Sequence, residues 1–140
     1  MQFKIKTNAK EVAKATKKGG KDLQKSVKKA LSITAQEGIN IIEARTKKGV
    51  GYKGGNFKPY DQKYAAFRSS RDRGTKPNLE FTGKMLGSMT SRANSKRAEI
   101  FFTRARESKK AAMNNKSRPF FGFSDRETDK LGKIFFRALK

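Results

Sequence analysis

Few residues in this chain can do bond-making chemistry, and their types exclude most of it. Its 140 residues include no cysteine and no histidine. That removes a thiolate nucleophile, a cysteine-based zinc site, the usual general base and the commonest metal ligand. Twelve carboxylates remain, with no Asp-x-Asp ligand loop and no P-loop pattern among them. Their one cluster is Asp125, Glu127 and Asp129, a grouping of the kind a nuclease needs for Mg²⁺. It falls in the first turn of a predicted helix, where attraction to the helix dipole accounts for it. No residue is therefore assigned to catalysis, to a cofactor or to a metal, and the protein is expected not to be an enzyme.

Binding chemistry is better supplied. Lys and Arg number 35 against 12 Asp and Glu, a formal net charge of +23. Residues 1–30, 45–76 and 84–118 each hold ten basic and two acidic residues, so the surplus belongs to the body of the chain and not to a detachable tail. A body this positive repels itself and seeks nucleic acid or an acidic protein. Residues 46–58 contain four glycines and four lysines and read as a mobile loop, either a phosphate cradle or a plain connector. Gly49, Gly51, Gly54 and Gly55 do not form a dinucleotide fingerprint. Residues 68–76 make a second basic loop. Lys47, Lys48, Lys53, Lys58, Arg68, Arg71, Arg73 and Lys76 are the candidate contacts for DNA or a partner. Tyr60, Tyr64 and Phe67 share one face of a short helix, expected to be core and not a base-stacking platform.

The positioning elements follow from periodicity. Gln2 to Lys6 alternates as a strand. Asn8 is a cap for a helix through Lys18, broken by Gly19-Gly20. From Lys21 to about Arg45, Leu23, Val27, Ala30, Leu31, Thr34, Gly38 and Ile41 form one apolar stripe. Ile33 flanks it, and Ile39 lies nearly opposite, which makes it a candidate contact with another element or with a subunit. Pro59-Tyr60-Asp61 opens the aromatic helix. Thr82-Gly83 turns into Met85 and Leu86. Ser88–Ala93 and Ala98–Thr103 form a hairpin across a polar connector, with Ile100 and Phe102 on one face and Phe101 on the other. Arg104 to Asn114 reads as a helix broken by Asn114-Asn115-Lys116-Ser117. Arg118-Pro119-Phe120-Phe121-Gly122-Phe123 reads as an extended aromatic strand, with Gly122 allowing a close approach. Ser124 and Glu127 make a capping box for a final helix, Asp125–Lys140. Leu131, Ile134, Phe135, Ala138 and Leu139 line that helix, and Phe136, off the stripe, is a second candidate subunit contact. The expected fold is α+β, a single domain over 1–140, with a long amphipathic helix and shorter helices on a small antiparallel β-sheet and flexible basic loops at about 46–58 and 68–76. Apolar runs never exceed three residues, so no membrane span or secretory signal is expected, and a soluble intracellular product is.

Three blocks, in order, carry a resemblance. The first is Phe57-Lys58-Pro59-Tyr60-Asp61 through Tyr64-Ala65. The second is Leu79-x-x-Thr82-Gly83-x-Met85-Leu86-x-Ser88-Met89. The third is Arg118-Pro119-Phe120-Phe121-Gly122-Phe123-Ser124. Together they resemble the virion morphogenesis and tail-completion proteins of tailed bacteriophages, a family of head–tail joining or neck components. Departures from the family pattern are Asp61 where serine is frequent, Ala111-Ala112-Met113-Asn114-Asn115 where histidine and glycine follow the alanine pair, and Phe121 and Phe123 where leucines are frequent.

The resemblance implies a non-enzymatic virion protein, made in the bacterial host cytoplasm. It implies a ring at the head–tail junction or tail terminus that completes the joint through which DNA passes. Implied partners are other copies of the chain, portal, adaptor or tail-tube proteins, and double-stranded DNA in the channel, with no membrane and no cofactor. The three blocks themselves read as turn, cap and packing residues. The alternative is a sequence-independent nucleic-acid-binding protein of ribosomal or nucleoid type, resting on charge and on aromatics interspersed with Lys and Arg; no nucleic-acid module motif accompanies it.

Overall fold

Alternating residues at the N-terminus and in the 89–102 region build the sheet that organises one part of the chain. The computed structural model describes residues 2–6, 20–80 and 82–139; the helix expected over 8–18 lies outside them. The fold is α+β, with five helices and a three-stranded antiparallel sheet among the described residues. Its described residues divide into two compact units. The sheet unit draws on 2–6, 20–41, 89–101 and 125–139, and the motif unit on 42–80, 82–88 and 102–124.

In the sheet unit, β1 (Gln2–Lys6), β2 (Met89–Ala93) and β3 (Arg97–Phe102) lie in the order β1-β3-β2. Phe3 stands opposite Ile100, and Ile5 opposite Ala98. The hairpin turn is closed by Asn94. Its amide donates to the Arg97 carbonyl at 2.9 Å, and its Oδ1 accepts from the Lys96 and Arg97 amides at 2.8 and 2.9 Å, as asparagine commonly does in turns. Along β3, Ala98 and Ile100 are fully buried. On the opposite face Glu99 is covered and Phe101 half-buried. Arg92 Nε donates to Glu99 Oε2 at 2.7 Å, Gln2 Nε2 donates to the same oxygen at 3.0 Å, and Arg97 Nη2 lies 3.5 Å from Oε1. The Arg92 guanidinium also sits 4.8 Å from the Phe101 ring centroid. The hydrogen bond from Arg92 holds the Glu99 carboxyl below the usual glutamate range, and the charges of Arg92, Arg97 and Lys4 add to it.

Helix α1 (Gly20–Lys47) is rich in good helix formers, with Asp22 in its first turn and Arg45 and Lys47 in its last, both favourable to the dipole. Val27, Ala30, Leu31, Thr34 and Gly38 of the expected stripe are buried, and Leu23 and Ile41 are half-buried. Of the two contacts expected for Ile39, the structure supports another element and corrects the subunit: it is buried within the chain, with 5% of its surface exposed, and is not available as a subunit contact. The reason is geometric. Val27, Leu31, Ala35 and Ile39 are successive steps of four, and each step carries the buried face about 40° further round the helix. Residues that a fixed stripe puts on the far side are thereby brought in. The terminal helix, which we call α5 (Asp125–Ala138), buries Leu131 and Phe135, as well as Leu139 just beyond it. Phe136 is half-buried, its ring 5.4 Å from Phe135 and edge-on.

The motif unit carries α2 (Gln62–Ser70), α3 (Lys84–Gly87) and α4 (Ala105–Ser117). Four expectations change here. The first basic loop begins inside α1, which runs through Lys47, and the second begins inside α2, which runs through Ser70. Helix α4 is not broken at Asn114 but continues through Ser117, with the Asn114 side chain donating back to the Lys110 carbonyl at 2.9 Å. Residues 118–124 form no strand. They are an irregular segment whose backbone bonds go to side chains and to isolated backbone groups instead of a neighbouring strand.

Candidate functional site

That irregular segment is the hub of the motif unit. Phe120 and Phe121 are buried, with ring centroids 6.1 Å apart, and Phe121 lies 5.3 Å from Phe102. Irregular backbone buried without a strand partner needs other acceptors and donors. Asn115 supplies one set: its Oδ1 accepts from the amides of Phe120 and Phe121 at 3.0 and 2.9 Å. Arg45 supplies the other, its Nη2 donating to the carbonyls of Phe120 and Gly122 at 2.6 and 3.0 Å. The Tyr52 amide donates to the Pro119 carbonyl at 3.1 Å. Gly122 permits the close approach its type implied: a Cβ there would lie 2.7 Å from Tyr52 Cε1.

The three sequence blocks, far apart in the chain, meet through named bonds. Arg118 joins the third block to the first, Nε donating to the Lys58 carbonyl at 2.7 Å and Nη2 to the Pro59 carbonyl at 2.9 Å. Its guanidinium also lies 4.8 Å from the Tyr60 ring centroid. Tyr60 joins the first block to the second, its hydroxyl oxygen accepting from the Leu79 amide at 3.0 Å. Leu79 is held there at φ 56°, a conformation leucine rarely adopts. Asp61 caps α2 by accepting from the Tyr64 amide at 2.8 Å. Gly83, at φ 79°, starts α3, where the Lys84 amide donates to Thr82 Oγ1 at 3.3 Å. Met85 and Leu86 are buried, and Asn114 Nδ2 of α4 reaches Met85 Sδ at 3.8 Å. Phe57 is buried, Pro59 exposed, Pro119 half-buried, and Ser124 stands half-buried directly before α5.

Tyr60, Tyr64 and Phe67 do share a face, but it is not core. The tyrosines are half-buried and Phe67 is 44% exposed. They form one wall of a groove of about 480 Å³ whose other side carries Met85, Glu107, Lys110 and Asn114. Helix α2 is only nine residues long, too short to bury this stripe on its own account. Glu107 is 3% exposed and pairs with Lys110 at 3.4 Å through Oε1. Its Oε2 is buried without a hydrogen-bond partner among the described residues.

The basic candidates separate into two groups. Arg68 leaves the list of DNA contacts. It is 2% exposed, and donates from Nε to the Gly74 carbonyl at 2.7 Å and from Nη2 to Asn78 Oδ1 at 3.3 Å and the Glu80 carbonyl at 3.1 Å. It also lies against Tyr60 and Tyr64, 5.0 and 5.9 Å from their ring centroids. Lys47 is exposed but paired with Glu43 at 3.1 Å. That hydrogen bond, with the charges of Glu43 and Glu80, holds its amine above the usual lysine value. Lys48, Lys53, Lys58, Arg71, Arg73 and Lys76 are exposed. Asn115, Arg45 and Tyr52 escaped notice in the sequence. Asn115 stood in an asparagine pair that read as a helix breaker, and nothing local marks an arginine whose acceptors lie 75 and 77 residues away.

Asp125 and Glu127 lie in the first turn of α5, and no group of three or more metal-ligating side chains placed to hold an ion occurs among the described residues. No described helix is long and apolar enough to cross a membrane. Comparison with protein-family models, with curated proteins and with solved structures finds no match for this chain.

Proposed function

We propose that this protein is a non-enzymatic structural component of a tailed-phage virion, forming a ring at the head–tail junction or tail terminus that completes the joint through which DNA passes. The observation that carries the reading is the use to which the three blocks are put. Arg118, Tyr60, Asp61 and Thr82 direct their polar atoms at backbone groups of the same unit, while Phe57, Leu79, Leu86, Phe120 and Phe121 are buried. Residues used this way keep a scaffold in shape, which is what a ring subunit requires. The partially exposed apolar residues, Phe67 in the motif unit and Phe136 in the sheet unit, supply surface that subunit contacts can complete. Negative-stain electron microscopy of nuclease-treated protein is the test. Closed rings of uniform diameter with a central opening are expected, and a field of single small particles at high protein concentration would sink the proposal.

A further inference from the structure

We infer that the two basic loops of the motif unit form one preorganised surface for the phosphate backbone of double-stranded DNA, with Lys48, Lys53, Lys58 and Lys76 as its contacts. The inference rests on the proposed place of the protein around a DNA channel, and it selects among cations that the sequence alone leaves equivalent.

Both loops are held by the chain's own groups. In the first, Val50 and Asn56 bridge, the Gly51 amide donates to the Gly55 carbonyl at 3.2 Å, and the Phe57 amide donates to the Gly49 carbonyl at 2.8 Å. Tyr52 is tied to Pro119, and the Lys58 carbonyl to Arg118. In the second, Arg68 is the clasp, bonding Gly74, Asn78 and Glu80 while its own carbonyl accepts from the Arg73 amide at 2.8 Å. The loops also touch. A Cβ built at Gly49 would lie 3.3 Å from Lys76 Cε and 3.4 Å from the Pro77 carbonyl oxygen.

Charge placement on this frame is selective. Arg68 is spent inside, and Lys47 is neutralised by Glu43. Lys48, Lys53, Lys58 and Lys76 are exposed, and no carboxylate pairs with them among the described residues. Fixing like charges on anchored turns costs self-repulsion that a flexible tail would relieve by spreading. A polyanion relieves it instead, and anchored turns bind with less ordering to do. Lysines are point charges on flexible stems and meet phosphate without reading base edges, so the binding is independent of sequence.

The test is fluorescence anisotropy with a mixed-sequence DNA duplex across a salt series, on the full chain. Four substitutions, Lys48→Gln, Lys53→Gln, Lys58→Gln and Lys76→Gln, are compared with an equal charge change on α1, at Lys21, Lys25, Lys28 and Lys29. Circular dichroism of both variants checks the fold, and the four lysines replaced by arginine serve as a charge-preserving control. The expected result is a loss of roughly 100-fold or more in affinity near 0.1 M salt and a salt slope shallower by about 3 to 4 for the loop variant. The α1 variant should lose only a few-fold, and the arginine variant should bind as the wild type does. Equal losses from both glutamine variants, or a wild type that does not bind the duplex, would overturn the inference. Particle mass on the same samples separates it from the ring proposal. Rings that do not bind DNA through these lysines sink only the inference, and loop-dependent binding by a protein that never assembles sinks the ring.

Discussion

Arg68 sits on a nine-residue helix among exposed cations, yet it is the clasp of its loop, and its chemistry explains why. Only a guanidinium offers enough donors in a fixed fork to serve the Gly74 and Glu80 carbonyls and Asn78 Oδ1 together. Arg68→Met removes three charge-assisted hydrogen bonds to partly buried oxygens and should cost about 2–4 kcal/mol of stability in urea unfolding, with Arg68→Lys recovering less than half of it. A change within about 0.5 kcal/mol would show that the clasp is dispensable. Gly122 was more legible, because glycine beside three phenylalanines invites a close approach, although the partner, Tyr52, was not readable. Gly122→Ala pushes a methyl against the Tyr52 ring and should cost about 1–3 kcal/mol. The same substitution in a Tyr52→Ala chain should cost much less, and an equal cost in both backgrounds would rule out the ring as the cause.

At the scale of elements, periodic segments were readable and irregular ones were not. The 3.6-residue and two-residue patterns located α1, α5 and all three strands because burial on one face leaves a local mark. The drift of the buried face along α1 escaped, since steps of three and of four are both helical and only packing chooses between them. Residues 118–124 escaped for a different reason: Arg-Pro and three phenylalanines within four residues favour extended backbone, but a strand also needs a neighbouring edge, and here Asn115 and Arg45 take its place. The covered face of β3 gives a prediction of its own. Glu99 has a folded pKa below its unfolded one, so its contribution is fully present above the ordinary glutamate value, about 4.3, and is lost as pH falls through the lowered folded value. Melting temperature should therefore fall across that acidic window, and Glu99→Gln should lower it at neutral pH while flattening the acid limb. Parallel curves for the two proteins would mean that the Arg92–Glu99–Gln2 cluster carries no net stabilisation.

For the whole molecule the governing quantity is the +23 charge, and its consequence runs in opposite directions for the two functional readings. Subunits that associate through apolar and hydrogen-bonded surfaces repel each other electrostatically, so added salt screens the repulsion and favours assembly. A protein held together only by adventitious nucleic acid does the reverse, because salt releases the polyanion. The three blocks were legible as a set of turns, caps and packing residues, but their convergence was not, since Arg118 reaches carbonyls 59 and 60 residues earlier in the chain and no local pattern encodes such a pairing. The most direct measurement is the mass of nuclease-treated protein by light scattering from low to high salt, with absorbance at 260 and 280 nm recorded on the same peak. A discrete oligomer free of nucleic acid that persists or strengthens as salt rises is the predicted result. A monomer at every salt concentration, or an assembly that dissolves as nucleic acid is shed, would contradict it.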